Sequence, residues 1–167
     1  LSGAYVDCRD GSAGSTPLMW ASFNNRTDVV LHLLKNAASI DALSLDGHKT
    51  PLLMAAYQGH AGIIELLLSK GSSINKRNHR GDTALQLASY MGHPEAVSIL
   101  LQRRPDLNAR TVKQLYTALH FATFKGHLEI VDSLVAAGAS VTVTDHEGKT
   151  PFLGAAAFGN SDILKFL

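Results

Sequence analysis

The apolar residues of this chain recur in blocks instead of alternating along it. Thr16, Thr50, Thr83, Thr117 and Thr150 are each followed by Pro or Ala and then by Leu or Phe, at spacings of 34, 33, 34 and 33 residues. Nine positions after each threonine stand Asn25, Gly59, Gly92, Gly126 and Gly159, and between these landmarks lie Ala21, Ala55, Ala88, Ala122 and Ala155. Further on, apolar residues fall three to four apart, as in Ile63, Ile64, Leu67 and Leu68 and again in Ile130, Val131, Leu134 and Val135. That is the spacing of one helical face. Self-similarity at such a period marks an array of supersecondary units, and each unit reads as a pair of helices.

The residues at the landmarks suit those helix ends. Thr is a good N-cap, and Pro is best tolerated in the first helical turn, where its missing N–H costs nothing, so Thr16-Pro17, Thr50-Pro51 and Thr150-Pro151 mark helix starts. The first helix of each unit is short, carries small Ala residues on the face that must lie close to a neighbour, and ends at a Gly or Asn able to take left-handed backbone angles. Gly71 and Gly138 stop the second helix. One such unit cannot bury its apolar face alone, so neighbouring units must stack and share a continuous core.

Composition narrows the partner more than the fold. Hydrophobic residues make up 46% of the 167, enough for a packed core throughout. Fifteen Lys and Arg against fourteen Asp and Glu give a formal charge of +1, far from that of a general nucleic-acid or membrane-surface binder. The single cysteine, Cys8, has no internal disulfide partner, which suits a reducing compartment. No apolar run approaches the length of a membrane span and no leader-like segment opens the chain. The expectation is an intracellular protein, cytoplasmic or nuclear, without membrane insertion.

Segments such as Asp145-His146-Glu147-Gly148-Lys149-Thr150-Pro151, Gly126-His127-Leu128-Glu129-Ile130-Val131 and Gly138-Ala139-Ser140-Val141 closely resemble the ankyrin repeat, and the resemblance runs in register through five units. It implies an all-α ankyrin-repeat solenoid of stacked antiparallel helix pairs with β-turn or hairpin loops. The units divide as 10–44, 45–77, 78–111, 112–144 and a partial 145–167. Residues 1–9, with Gly3-Ala4-Tyr5-Val6-Asp7, resemble the end of a preceding unit. With no initiator Met and no polar capping repeat, the chain reads as a monomeric segment of a longer array. Three stretches depart from the pattern. Asp46-Gly47-His48-Lys49 has its Gly one position early, consistent with a loop one residue longer, Val112-Lys113-Gln114-Leu115-Tyr116 lacks the turn Gly, and Arg103-Arg104-Pro105-Asp106 replaces the usual Gly-Ala. The last two loops are expected to be atypical, through drift or because a partner meets them.

In ankyrin-like proteins the loop tips and first helices form a concave surface where partners dock, and the second helices form the convex back. The resemblance places Phe23 and Asn24, Tyr57 and Gln58, Tyr90 and Met91, Phe124 and Lys125, and Ala157 with Phe158 on that surface. Phe23, Tyr57, Tyr90 and Phe124 then read as an aromatic ladder, with Met91 and Phe158 nearby. Such rings either anchor a partner or pack on one another as core. Charge adds a second feature, because residues 70–113 hold eight Lys and Arg against three carboxylates. Lys76, Arg77, His79, Arg80, Arg110 and Lys113 should share adjacent loops, as a site for an acidic peptide or as a solvated edge.

Catalytic chemistry has little foothold. The resemblance gives His60, His93, His127 and His120 a structural role in turns and between units. His48, His79 and His146 sit on loops and His32 on a second helix. Neither His-x-x-x-His nor Cys-x-x-Cys spacing occurs, nor a phosphate-binding glycine loop, nor a nucleophile elbow, so no metal site, cofactor or enzyme activity is expected. The sequence therefore points to a protein-interaction module, a scaffold or adaptor that binds a peptide or domain, acidic with apolar anchors. The alternative is the regulatory or substrate-recruiting segment of a larger enzyme or channel. The resemblance also places Asn75 and Asn108 where ankyrin-like proteins are hydroxylated on asparagine. A nucleic-acid role is the weakest reading.

Overall fold

The structure, a computed structural model, describes residues 5–11 and 13–166. Gly3 and Ala4, read above as part of an earlier unit, lie outside these, as does Leu167. The described residues form ten helices in five pairs: α1 (Pro17–Phe23) with α2 (Thr27–Lys35), α3 (Pro51–Gln58) with α4 (Ala61–Ser69), α5 (Ala84–Met91) with α6 (Pro94–Gln102), α7 (Ala118–Lys125) with α8 (Leu128–Ala136), and α9 (Pro151–Ala157) with α10 (Ser161–Phe166).

Each first helix begins where the threonine predicts. Thr16, Thr50, Thr83, Thr117 and Thr150 hold extended backbone angles, and each hydroxyl accepts a hydrogen bond from the N–H three residues on. That pairing satisfies one of the orphan donors of the first turn. The turn between helices needs a left-handed residue: Gly92 takes φ +78°, and a Cβ added there would lie 2.5 Å from His127 Cε1 of the next unit. Glycine is therefore required at this turn for conformation and for space.

First helices pack on first helices and second on second, giving two layers. Between them lies one core of Leu18, Ile64, Leu85, Leu100, Leu119 and Ile130 with their neighbours. The first helices approach each other more closely than the second ones do, because Ala55, Ala88 and Ala122 stand at the contact with no exposed area. Tighter spacing on one side bends the stack towards that side, so the first helices line its inner face.

The alternation of 34 and 33 residues is settled in the hairpins. From each capping threonine to the next hairpin the interval is constant. The hairpins close as Asp10 N–H to Ser15 O, Ser44 to Lys49, Asn78 to Asp82, Thr111 to Tyr116 and Asp145 to Lys149. Three of them are one residue longer than the 78–82 and 145–149 hairpins, and the early Gly47 belongs to one of the longer ones. Neighbouring hairpins also pair sideways through the backbone, Asp46 N–H to Ala13 O (3.3 Å), His79 to Gly47 (2.9 Å), Val112 to Arg80 (2.8 Å) and His146 to Gln114 (3.0 Å).

The two loops expected to be atypical keep the common backbone path instead. Arg104 takes φ +51° at the position of Gly71 and Gly138, and Leu115 takes φ +58° at the position of Gly81 and Gly148. Both are side-chain-bearing residues in a left-handed conformation that costs about 1–2 kcal/mol. The departure at 103–106 is confined to Pro105, which cannot donate the bond that Ser72 N–H makes to Leu67 O and Ala139 N–H to Leu134 O.

Candidate partner-binding groove

Many polar side chains near the inner face are occupied in joining units. His60 Nε2 meets Phe23 O at 2.9 Å, and His93 Nε2 meets Tyr57 O at 3.0 Å, each reaching back one unit. Gln86 and His120 occupy equivalent places in α5 and α7. Gln86 accepts from Thr83 N–H (2.8 Å) and donates to Ala109 O (2.9 Å) and Tyr116 O (2.8 Å). His120 Nδ1 accepts from Thr117 N–H (3.2 Å), so its proton sits on Nε2, which faces Lys149 O at 3.2 Å. The ring is fully buried, and burial pushes its pKa below the ordinary value.

The basic residues divide by what they touch. Arg77 Nε donates to Gly81 O (3.1 Å) and its Nη2 to Arg110 O, while Arg110 donates to Leu115 O (3.4 Å) and Thr144 O (2.6 Å). Arg9 does the same across 34 residues to Leu43 O. These guanidinium groups bridge adjacent hairpins. Lys76 is half-buried, whereas His79, Arg80 and Lys113 are exposed. The His79 ring rests on Gly47, where a Cβ would clash with it, and stands edge-on to His48 with centroids 6.2 Å apart.

The aromatic residues do not form one even ladder. Phe23 is half-buried and pairs with Trp20 within α1, centroids 6.0 Å apart. Tyr57 and Tyr90 are 40% and 38% exposed. Tyr90 meets Phe121 edge-to-face at 5.4 Å and carries Lys125 Nζ 4.4 Å from its centroid. Phe121 meets Tyr116 at 5.4 Å, Tyr116 meets Phe124 at 5.0 Å, and Phe124 meets Phe158 at 5.2 Å. Phe124 reaches α9 because Gly154 has no side chain, a Cβ there standing 2.0 Å from Phe124 Cε1. Asn24 donates to Trp20 O (2.8 Å), and Gln58 and Met91 are half-buried.

A cavity of about 840 Å³ opens where the hairpins 44–49, 78–82 and 111–116 face α3, α5 and α7. It brings Tyr57, Tyr90, His79, Arg80 and Lys113 together, and leaves out Phe23, Phe124, Phe158, Arg77 and Arg110. It adds Tyr116, marked in the sequence only as the end of the departing loop 112–116, and Phe121, which was not marked as a candidate. The signal for Phe121 was the fourth position after each capping threonine, which reads Trp20, Met54, Leu87, Phe121 and Gly154. Tyr116 closes its hairpin just before the capping threonine, where the other units carry Ser15, Lys49, Asp82 and Lys149. Burial pushes the Tyr116 phenol above its ordinary pKa and keeps it neutral.

Asn75 and Asn108 are exposed, and their side-chain oxygens accept from Asp106 N–H (2.9 Å) and Ser140 N–H (3.1 Å) of the next unit. Asp7 and Asp41 bridge to Ser39 and Ser73 in the same way. Among the described residues, no group of three or more His, Cys, Asp or Glu is placed to hold a metal ion. No helix there is long and apolar enough to cross a membrane.

Comparison with known proteins agrees with this architecture. The family model for ankyrin repeats in three copies matches residues 41–111, that for many copies matches 91–132 and 124–167, and the single ankyrin repeat matches 13–45. Palmitoyltransferase ZDHHC13 of Homo sapiens is 34% identical over 169 residues, covering 80% of this chain and 27% of the relative. Palmitoyltransferase AKR1 of Lachancea kluyveri is 29% identical over 153 residues, 90% of this chain and 21% of the relative. Probable E3 ubiquitin-protein ligase XBOS32 of Oryza sativa is 40% identical over 90 residues, 54% and 18%. The chain thus spans little more than a quarter of these relatives at most. With its five capped helix pairs and matches running from residue 13 to the last, this chain belongs to the ankyrin-repeat family.

Proposed function

We propose that this chain holds an acidic, apolar-anchored segment of another protein against its first helices and hairpin tips. Ankyrin repeats are protein-interaction modules, and one observation carries the finer reading. Exposed faces of Tyr57 and Tyr90 stand beside Arg80 and Lys113, and among the described residues neither cation has a carboxylate within ion-pair distance. Aromatic anchors and arginine are the residue types that dominate binding hot spots, and unanswered positive charge steers an acidic partner.

The relatives favour a second, compatible reading. Palmitoyltransferases and a probable ubiquitin ligase match through a fraction of their length, which supports these repeats as the substrate-recruiting part of a larger cytoplasmic or nuclear-facing enzyme. On that reading the repeats themselves carry no catalytic step.

Hydrogen-exchange footprinting of the chain with a captured partner tests the face. Protection is expected in α3, α5, α7 and the adjoining hairpins. Protection confined to α4, α6 and α8 rules the reading out, as does unchanged affinity in a folded Tyr57→Ala/Tyr90→Ala/Phe124→Ala variant.

A further inference from the structure

We infer that the cavity between the second, third and fourth hairpins is an anchor subsite for one carboxylate residue set beside a large apolar residue, on an extended segment of the partner protein. This rests on the groove reading above and narrows it to a single place. At about 840 Å³ the space falls among pockets of roughly 300–1,000 Å³ that enclose a ligand, so it has room for more than one side chain.

Its apolar wall is preformed. Phe121 is held edge-on between Tyr90 and Tyr116, both at 5.4 Å, and Lys125 covers Tyr90 from the neighbouring unit at 4.4 Å. Rings braced in this way lose little freedom when an apolar side chain docks, which lowers the cost of binding. The one carboxylate in the wall, Asp82, is 9% exposed and accepts from Asn78 Nδ2 at 3.0 Å. It therefore turns inward and leaves Arg80 unanswered.

The cations choose the anion. Arg80 and Lys113 belong to adjacent hairpins tied by the bond from Val112 N–H to Arg80 O (2.8 Å) and by the Arg77 bridge from Gly81 O to Arg110 O. The two arginines that would complete a guanidinium cluster, Arg77 and Arg110, are committed to backbone carbonyls. The arginine cluster that phosphopeptide sites gather is therefore absent, whereas the Arg80 guanidinium can hold a carboxylate through a bidentate pair with the Lys113 ammonium beside it. Arg77 acts as a positioning residue, holding the two hairpins in register without meeting the ligand.

The test starts from random twelve-residue peptides displayed on phage and selected on the 167-residue chain. Selected peptides are synthesised and their Kd is measured by fluorescence anisotropy. The expected consensus places Asp or Glu within three residues of Phe, Tyr, Trp, Leu or Ile. Arg80→Glu/Lys113→Glu is expected to weaken binding about tenfold or more, and peptides with the acid changed to Lys should recover affinity for that reversed variant. Lys70→Glu/Arg103→Glu, with the same change in net charge at the second-helix ends, should shift Kd less than about twofold. A consensus without an acid, an unmoved Kd in the reversed variant or no recovery by the swapped peptides overturns the subsite. A phosphoserine peptide binding more than tenfold tighter than its Glu counterpart also overturns it, in favour of a phosphorylated ligand. If binding instead depends on Phe23 or Phe158, the subsite fails while the groove reading stands. If selected peptides protect only the second helices, or none is selected, both fail.

Discussion

The third and fifth hairpins have the same length and backbone path, yet they dispose of their charge in opposite ways. In the fifth, Lys149 bonds to Glu147, which is held below its ordinary pKa by that lysine, and His146 stands 3.7 Å from the same carboxylate. In the third, the equivalent pair is reversed as Arg80 and Asp82, and the two do not meet. The difference traces to the first residue. Asn78 and Asp145 both accept from the two N–H groups that close their turn. Only Asn78 also has an N–H₂, and it donates this to Asp82. An amide where the fifth hairpin has a carboxylate thus withdraws the acid and leaves the arginine facing the groove. One hairpin pairs its cation with its own acid, and the other leaves its cation facing the groove.

Asn78→Asp is the change that breaks this comparison most severely. It removes the donor and sets two carboxylates side by side in a site where both residues are 9% exposed, costing about 2–4 kcal/mol of stability. Urea unfolding measures it, and the mirror change Asp145→Asn, which keeps the turn acceptor, costs under about 1 kcal/mol.

The paired bridges Gln86 and His120 separate by pH. Burial depresses the pKa of His120 in the folded chain, so the unfolded chain binds a proton that the native one refuses. Its contribution is complete above the ordinary histidine value of about 6.5 and falls away as pH drops through that value towards the folded one. Unfolding midpoints measured from pH 7.5 to 5 should decline less steeply in His120→Gln, because glutamine already serves this position in α5.

Arg104→Gly relieves a left-handed side-chain-bearing residue and is expected to stabilise the chain by about 0.5–1 kcal/mol. Leu115→Gly should act likewise, and a loss at either position would show that the side chain contributes contacts exceeding its strain. Lys149→Ala gives the smallest effect, a thermal unfolding midpoint within measurement error of the parent chain, since both members of its pair are roughly half exposed. A clear drop in that midpoint would mean that the fifth hairpin depends on its ion pair more than surface screening allows.

The helix pairs and their boundaries were legible because capping, turn conformation and helical periodicity act over a few residues, as at Thr83 and Gly92. The candidate site was legible only in part. Tyr57, Tyr90, Arg80 and Lys113 stand together at the cavity, but Arg77 and Arg110, equally basic in sequence, are bonded to carbonyls across the stack. Phe23 lies apart from the cavity, whose wall is completed by Tyr116, legible only as the end of a departing loop, and by Phe121, which was not a candidate.

The sequence by itself determined the repeat, the caps and the turns between helices, since each depends on neighbours within one or two helical turns. Only the tertiary structure decided which cations are occupied, which rings touch and where a cavity opens. Arg77 and Arg110 are taken up by bonds to carbonyls 33 and 34 residues away, while Arg80 is left free by a bond spanning four residues, where an amide stands in place of a carboxylate.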